Sequence, residues 1–187
     1  MAEEKIRQLL EELSFPILYE TGGGNEYISP NIYTYTGIFV EEFSANRNLF
    51  PGKINPEDYV EANHKIREWH KHNEPGVLLT EFRFKTAFGE SIWMEDHILS
   101  VKKNGKGKFM TGIMMDITHE KTDLLTLLQK IYAEKEESGK ELQKKKLKQL
   151  EETREERKKQ AEKLLSEMVS SGKSMEKIFT SFYPSVS

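Results

Sequence analysis

The chain of 187 residues contains no cysteine. This absence excludes a disulfide framework, a thiolate metal site and a cysteine nucleophile, and it suits a reducing compartment. No apolar run approaches the roughly 20 residues that a membrane-spanning helix needs, and residues 1–5 lack the basic and apolar regions of a signal peptide. We therefore expect a soluble, cytoplasmic protein.

An excess of charge of one sign is also missing. The 28 Lys and Arg residues are nearly balanced by 31 Asp and Glu residues, which leaves a formal net charge of -3. A broad basic field, which nucleic acid or an anionic membrane would require, is therefore absent, and we expect neither partner. The hydrophobic content of 36% is sufficient for one domain of ordinary size with an appendage.

The first third of the chain mixes helical and strand patterns. Residues 2–13 carry apolar side chains at helical spacing, which predicts a short amphipathic helix. Two apolar and aromatic runs, residues 15–19 and 26–29, flank the Gly-Gly-Gly-Asn segment 22–25 and predict a β-hairpin. Short segments rich in Tyr and Phe follow between residues 31 and 55, and their glycines and prolines favour brief helical turns.

A longer helix and three strands are predicted next. The segment Asn-Pro-Glu-Asp at 55–58 supplies an N-cap, a proline at the first helical position and acids in the first turn, so we expect a helix from there to about Asn73. The hydrophobic period then changes from 3.6 to 2. Residues 78–86, 92–101 and 109–117 alternate between two faces, and turns at 89–90 and 104–107 join them into an antiparallel meander.

About half of the residues from 119 to 168 are charged, with both signs balanced and no proline. This composition predicts one long helix over 119–169, supported by pairs of opposite charge four residues apart. Its two ends are more apolar than its middle, where the step from Leu142 to Leu147 breaks the heptad phase. Residues 170–187 are expected to form a short C-terminal segment, a candidate start of an output domain, and the amphipathic piece 175–183 requires a partner surface.

Four local motifs occur in an order that resembles the PAS fold. They are Asn55-Pro-Glu-Asp58, Glu81-Phe-Arg83, Gly89-Glu-Ser-Ile-Trp93 and Gly112-Ile-Met-Met-Asp-Ile-Thr118. The resemblance covers residues 15–118. It implies an α+β fold with an antiparallel five-stranded sheet and short helices on one face, flanked here by the N-terminal amphipathic helix and the long C-terminal helix.

The last of these motifs ends in Asp116, Ile117 and Thr118, where the sheet meets the charged segment. Ile117 is expected to anchor the strand end, while Asp116 or Thr118 accepts hydrogen bonds from the first free N–H groups of the helix. A change in the sheet would then tilt or rotate the helix, so we interpret these residues as a signal-coupling joint. The alternative, that they only cap and pack, stays open.

The resemblance also bears on cofactors. Light-sensing PAS domains attach flavin through a cysteine, and the nearest segment here, Ala-Asn-Arg-Asn-Leu-Phe at 45–50, has none, so a cysteine-linked flavin is excluded. In haem-binding members a histidine on the long helix ligates iron, but that place falls near Ala62, and haem is not expected. His64, His70 and His72 do not share one helical face, which predicts no metal site.

An apolar interior is the remaining candidate site. In this fold it is lined by the inward faces of the helices and the sheet, and a small apolar ligand would bind there. The same side chains also suit an ordinary packed core, and this alternative stays open. The candidate pocket residues are Tyr33, Phe39, Phe43, Ile66, Phe82, Phe84, Met94 and Met114.

We therefore expect a PAS sensory and dimerisation module that passes a signal through its C-terminal helix to an output domain, such as a nucleotide cyclase or serine phosphatase, or to a partner protein. The alternative is a PAS interaction scaffold whose charged helix is a solvated arm. No nucleophile, base and oxyanion set indicates an enzyme. A homodimer is expected through a seam of apolar residues, namely Ile6, Leu9, Leu10, Leu13, Leu124, Leu127, Leu128 and Ile131.

Overall fold

The computed structural model describes residues 2–22, 26–72, 75–102 and 108–184. Eight helices occur in these ranges: α1 (Ala2–Glu12), α2 (Ile32–Thr36), α3 (Val40–Ala45), α4 (Leu49–Lys53), α5 (Pro56–His72), α6 (Thr118–Ala133), α7 (Glu137–Ser170) and α8 (Met175–Phe182). The strands of the same ranges are β1 (Ile17–Thr21), β2 (Tyr27–Ile28), β3 (Val77–Lys85), β4 (Ser91–Lys102) and β5 (Lys108–Asp116). The turns predicted at 22–25 and 104–107 lie outside the described residues, except Gly22.

The strands form one antiparallel sheet of five strands in the order β2-β1-β5-β4-β3. The predicted α+β fold with a five-stranded sheet is therefore confirmed. The meander β3-β4-β5 supplies three neighbouring strands, and β1 joins it by pairing with β5, with Tyr19 opposite Gly112. This pairing brings the hairpin at the start of the sheet next to the last strand.

Period-2 alternation divides the sheet into two apolar faces. Ile17 belongs to the cluster under α2–α5, whereas its neighbour Leu18 belongs to a second cluster under α1, α7 and α8. We call the side of Ile17 the cavity face, after the cavity that it lines, and the side of Leu18 the hairpin face, after the helical hairpin that α6 and α7 form. One sheet thus supports a separate hydrophobic cluster on each side.

Helix α5 is fixed to the sheet at its first turn. Asn55 Oδ1 accepts a hydrogen bond from Glu57 N at 3.1 Å, as expected of an N-cap. The carboxylate of Asp58 accepts three bonds from Arg83 on β3, from its backbone N, Nε and Nη2, at 2.8, 2.8 and 2.7 Å. The Asn-Pro-Glu-Asp motif therefore starts the helix and also ties it to the strand.

The long C-terminal helix of the predicted fold is present as α7, which has 34 residues. The prediction of one helix over 119–169 is wrong, because the chain turns back between α6 and α7 and the two helices pack together. Glu134 has extended backbone angles, and its carboxylate accepts hydrogen bonds from the N–H groups of Lys135 and Glu136 at 3.1 and 3.2 Å. A Cβ at Gly139 would overlap this carboxylate, so the glycine leaves room for the side chain of Glu134 in this position.

The returning helix packs on the hairpin face. Its last turns place four side chains with no exposed surface beside α1 and α8: Ala161, Leu164, Leu165 and Met168. The alternative of a solvated helical arm is therefore wrong for this part of α7. The apolar face of α8 packs in the same cluster through Met175, Ile178 and Phe179, so this segment finds its partner surface within the chain.

The N-terminal half of the predicted dimer seam is also used within the chain. Ile6, Leu9, Leu10 and Leu13 are all at least 94% buried in the cluster with α7 and α8. Their assignment to a dimer interface was wrong because the sequence shows an apolar stripe but not which surface covers it. In the other half of the seam, Leu124, Leu127, Leu128 and Ile131 are half-buried on α6, which packs against α7.

None of the helices in the described ranges combines the length and the apolar character that a bilayer crossing requires.

Candidate functional site

A cavity of about 320 Å³ lies on the cavity face, between the sheet and helices α3 and α5. Its size is at the lower end of the range of roughly 300–1,000 Å³ that is typical of small-molecule sites. Aromatic and aliphatic side chains supply much of its wall, and β2 with the residues after α3 form its rim. The cavity is therefore large enough for a small organic molecule.

Four of the eight predicted pocket residues line this cavity: Phe43, Ile66, Phe82 and Met114. Phe84 and Met94 are fully buried in the adjoining cluster but do not line the cavity. Tyr33 and Phe39 lie elsewhere, because they are 44% and 55% exposed and their rings stack on each other at 4.3 Å between centroids. The prediction placed them inside because helical turns of so few residues do not define an inward face.

The cavity contains one carboxyl group that the pocket prediction missed. Asp96 is 8% exposed and lies on β4 between Met94 and Ile98, on the cavity face of the strand. The hydroxyl of Tyr19 donates to its two carboxyl oxygens at 3.0 and 3.1 Å. A carboxyl group among apolar side chains is costly to bury, so its presence requires an explanation.

Gly112 makes this contact possible. It lies opposite Tyr19 in the register of β1 and β5, and a Cβ at this position would overlap the tyrosine ring. The glycine of the Gly-x-x-x-Asp-Ile-Thr motif therefore leaves room for the ring that reaches Asp96. The sequence contained a usable signal, because Asp96 falls on the apolar side of a strand that alternates regularly.

Burial sets the protonation of this pair. Desolvation raises the pKa of Asp96 from its ordinary 3.8 to about 7, and the hydrogen bond from Tyr19 opposes that rise. Burial also raises the pKa of Tyr19, with a further rise from the nearby Asp96. The tyrosine is therefore a neutral donor near pH 7, and the carboxyl group can change its charge there.

The rim of the cavity is polar. Glu26 and Arg47 line it and form an ion pair at 3.6 Å in a largely exposed position. Ala62 lines the cavity at the place where the resemblance would put a haem-ligating histidine, whereas His64 is exposed. Among the described residues no group of three His, Asp or Glu side chains is placed to hold a metal ion.

The opposite face of β4 carries a buried ionic cluster. Glu95 is fully buried, and its carboxylate accepts hydrogen bonds from Arg157 Nη2 at 3.1 Å and Nε at 3.3 Å. His97 Nε2 lies 2.9 Å from Glu95 Oε1, the same oxygen that accepts from Arg157 Nε. Burial raises the pKa of Glu95, but the contacts with His97 and Arg157 outweigh this effect and hold it below its usual value.

A second group of charges extends this cluster toward α6. Glu81 on β3 pairs with Lys121 of α6 and with Arg154 of α7, and Glu120 pairs with Arg157. The ammonium of Lys121 also lies 4.9 Å from the ring centroid of Trp93 on β4. The charged residues of the long segment therefore join both helices to the sheet, whereas the sequence predicted pairs of opposite charge within one helix.

The predicted coupling residues lie where α6 leaves the sheet. Ile117 is buried, and its N–H donates to the carbonyl of Trp93 at 2.8 Å. Thr118 Oγ1 accepts from Trp93 N at 2.8 Å, and the carboxylate of Asp116 accepts from Thr118 N at 2.8 Å. Asp116 therefore caps the first N–H group of α6, whereas Ile117 and Thr118 bind the start of the helix to β4.

A family model described as PAS fold matches residues 25–114. Among solved structures, a sensory box histidine kinase/response regulator from Burkholderia thailandensis E264 is 20% identical, with a TM-score of 0.53 over 66% of this chain and 92% of that chain. A domain of a putative light and redox sensing histidine kinase from Haloarcula marismortui is 20% identical, with a TM-score of 0.48 over 62% and 99%.

The N-terminal domain of a diguanylate cyclase from Marinobacter aquaeolei is 18% identical, with a TM-score of 0.44 over 56% of this chain and 97% of that chain. At 20% identity and a TM-score of 0.53, the Burkholderia thailandensis structure demonstrates a shared fold only. The other two structures have TM-scores below 0.5 and carry no argument. A comparison with curated proteins found no match.

Proposed function

Because residues 25–114 form a PAS domain, we propose that the chain is a sensory module in which the cavity binds a small molecule and the α6–α7 hairpin transmits the effect. The cavity occupies one face of the sheet and the hairpin covers the other. A ligand in the cavity that shifts a strand of the sheet would therefore also shift the contacts of that strand with the α6–α7 hairpin. The hairpin replaces the single signalling helix expected from the sequence as the transmitting element.

The observation that carries this proposal is the pair of neighbouring acidic residues on β4. Asp96 enters the cavity, and Glu95 binds Arg157 of α7. Successive strand residues point to opposite faces, so a shift of β4 that improves a contact at Asp96 also moves the carboxylate that binds α7. Buried ion pairs depend strongly on geometry, and a small displacement weakens them.

The start of α6 supports the same route. The backbone of Trp93 holds Ile117 and Thr118, because its carbonyl accepts from Ile117 N and its N–H donates to Thr118 Oγ1, and Trp93 lies on β4 two residues before Glu95. The strand therefore contacts the beginning of α6 and the middle of α7. In our proposal, Asp116, Ile117 and Thr118 keep the coupling role that the sequence indicated. A movement of β4 reaches α6 through the hydrogen bonds of Ile117 and Thr118 with Trp93.

We propose further that the module acts as a homodimer and passes its signal to an output domain or partner protein, for which a nucleotide cyclase or serine phosphatase is a suitable type. Leu125 and Tyr132 are 59% and 88% exposed and lie seven residues apart on α6, a spacing that places them on the same side of the helix. This exposed side of α6 replaces α1 as our expected dimer contact.

The coupling can be tested without knowing the ligand. Ile66 lines the cavity from α5, so Ile66→Trp, or the smaller change Ile66→Phe, fills part of the space. We expect faster amide hydrogen exchange over residues 154–168 of α7, measured by mass spectrometry. Val60→Trp is the matched control, because Val60 is an exposed position of the same helix and its substitution leaves the cavity unfilled.

If both Ile66 variants fold and leave the exchange of α7 at the level of the Val60 control, the cavity and the hairpin are not coupled. That result would favour a PAS interaction scaffold without signal transmission.

A further inference from the structure

We propose that the cavity ligand is a small organic ammonium ion with an apolar body, bound through the carboxylate of Asp96. This inference rests on the proposed function, because it assigns a ligand class to the same cavity. The carboxylate of Asp96 and the aromatic wall of the cavity are the two features that select such a ligand.

The carboxylate of Asp96 can accept more hydrogen bonds than the one that Tyr19 donates. A carboxylate offers about four acceptor positions on two oxygens. In the part of the chain that the structure describes, the Tyr19 hydroxyl is the hydrogen-bond donor to Asp96, and it is shared between both oxygens. Acceptor positions therefore remain for a ligand with N–H groups, and an ammonium group has up to three such donors.

The wall of the cavity suits the rest of such a ligand. Phe43, Phe50 and Phe82 line it, with centroids 5.9 Å apart for Phe43–Phe50 and 6.2 Å for Phe50–Phe82. Aromatic faces attract cations and also bury apolar groups, so they stabilise both parts of an amphipathic amine. Tyr59 adds a further ring from α5.

The charges that line the cavity also favour a positively charged ligand. Among the described residues that line the cavity, Glu26 and Arg47 form an ion pair, so Asp96 is the acidic group of the cavity face whose charge no cation of this lining balances. A field of this sign attracts a cation and opposes an anion. Burial raises the pKa of Asp96 to about 7, and a bound ammonium group would lower that pKa by favouring the charged carboxylate.

Three probes of similar shape separate the ligand classes: phenethylamine, 2-phenylethanol and phenylacetate. They share an aromatic body and differ in the charge of the polar end. Titration calorimetry at pH 7.5 on the full chain is expected to show at least tenfold tighter binding of phenethylamine than of either other probe.

Asp96→Asn is expected to reduce the affinity for phenethylamine at least tenfold and to leave the affinity for 2-phenylethanol within a factor of about three. The control is Asp123→Asn, which removes a carboxylate from α6, where Asp123 is partly exposed and pairs with His119. It should bind all three probes like the unsubstituted chain. Thermal unfolding verifies that each variant is folded.

Equal or tighter binding of 2-phenylethanol or phenylacetate, unchanged phenethylamine affinity in Asp96→Asn, or no binding of phenethylamine would each overturn the ammonium assignment. None of these results decides whether the cavity is coupled to the hairpin, because the exchange experiment on the Ile66 variants uses no ligand. The two proposals can therefore fail separately.

Discussion

Asp96 places a titratable group in the apolar layer between the sheet and α5, where Thr80 and Met114 are its partners in the strand register. Such a group lowers stability unless it is protonated or paired. Its only role within the described hydrogen bonds is to accept from Tyr19, which an uncharged amide could also satisfy. This is the pattern expected where a residue serves binding at a cost to the fold.

Asp96→Asn is therefore expected to raise the free energy of unfolding more at pH 8 than at pH 5. The pKa of Asp96 is raised in the folded state, so the fold retains a proton that the unfolded chain releases, and stability falls as pH rises from 3.8 through about 7. The amide does not titrate and avoids this loss. With about 1.4 kcal/mol for each pKa unit, the gain at pH 8 is at most about 4 kcal/mol.

Urea denaturation of both proteins at pH 5 and pH 8 measures this difference, with Asp123→Asn as the control for loss of a carboxylate outside the cavity. An equal effect of Asp96→Asn at both pH values would show that burial does not raise the pKa of Asp96.

Among the elements, β4 carries a buried carboxyl group on each face of the sheet. Its even-numbered residues Met94, Asp96 and Ile98 belong to the cavity face, while Glu95 and His97 bind α7 or each other on the hairpin face. The ionic cluster fixes the orientation of α7, since its charges are satisfied only when Arg157 reaches the buried Glu95.

Arg157→Met is expected to lower the free energy of unfolding by about 3 kcal/mol, because it leaves the buried Glu95 with His97 as its remaining partner. Lys159→Met makes the same chemical change at an exposed position of α7 and is expected to alter stability by no more than about 0.5 kcal/mol. Urea denaturation at pH 7 provides both values.

The double variant Glu95→Gln/Arg157→Met should lose less stability than the sum of its single variants, since the second change removes a charge that is already unpaired. Strict additivity would mean that the two side chains do not interact in solution.

At the scale of the whole molecule, the hairpin closes over the sheet and leaves an exposed apolar surface on α6. Tyr132 is the most exposed of its large apolar residues at 88%. An exposed aromatic side chain beside Leu125 is a suitable contact for a second copy of the chain. The dimer that we propose therefore leaves the cluster of α1, α7 and α8 intact.

Light scattering at high micromolar concentration is expected to show a dimer, and Tyr132→Glu should shift it toward the monomer, because a charge at the contact must be desolvated. Val60→Glu, at an exposed apolar position of α5, should leave the dimer unchanged. A monomer for the unsubstituted chain would contradict the proposal.

Much of the sheet domain was predictable from local signals. The alternation of 78–86 and 92–101 assigned residues to the correct faces of β3 and β4, and the Asn-Pro-Glu-Asp segment located the start of α5. Ile66, Phe82 and Met114 were predicted correctly because strand alternation and the helical period of α5 define which side faces the cavity, and Phe43 on the short helix α3 also lines it. Tyr33 and Phe39 lie on short turns, where that rule does not apply.

The amino-acid sequence by itself determined the strands, the start of α5 and the cap at Asp116 to Thr118, because each depends on residues close together in the chain. Only the tertiary structure decided that α7 turns back at Glu134, that α1 packs within the chain and that Glu95 meets Arg157. The packing of α1 and the Glu95–Arg157 pair join residues far apart in sequence, and the turn at Glu134 goes with the packing of α6 against α7. An apolar stripe or a charged face indicates that a helix packs against some surface, but the packing of the whole chain decides which surface that is.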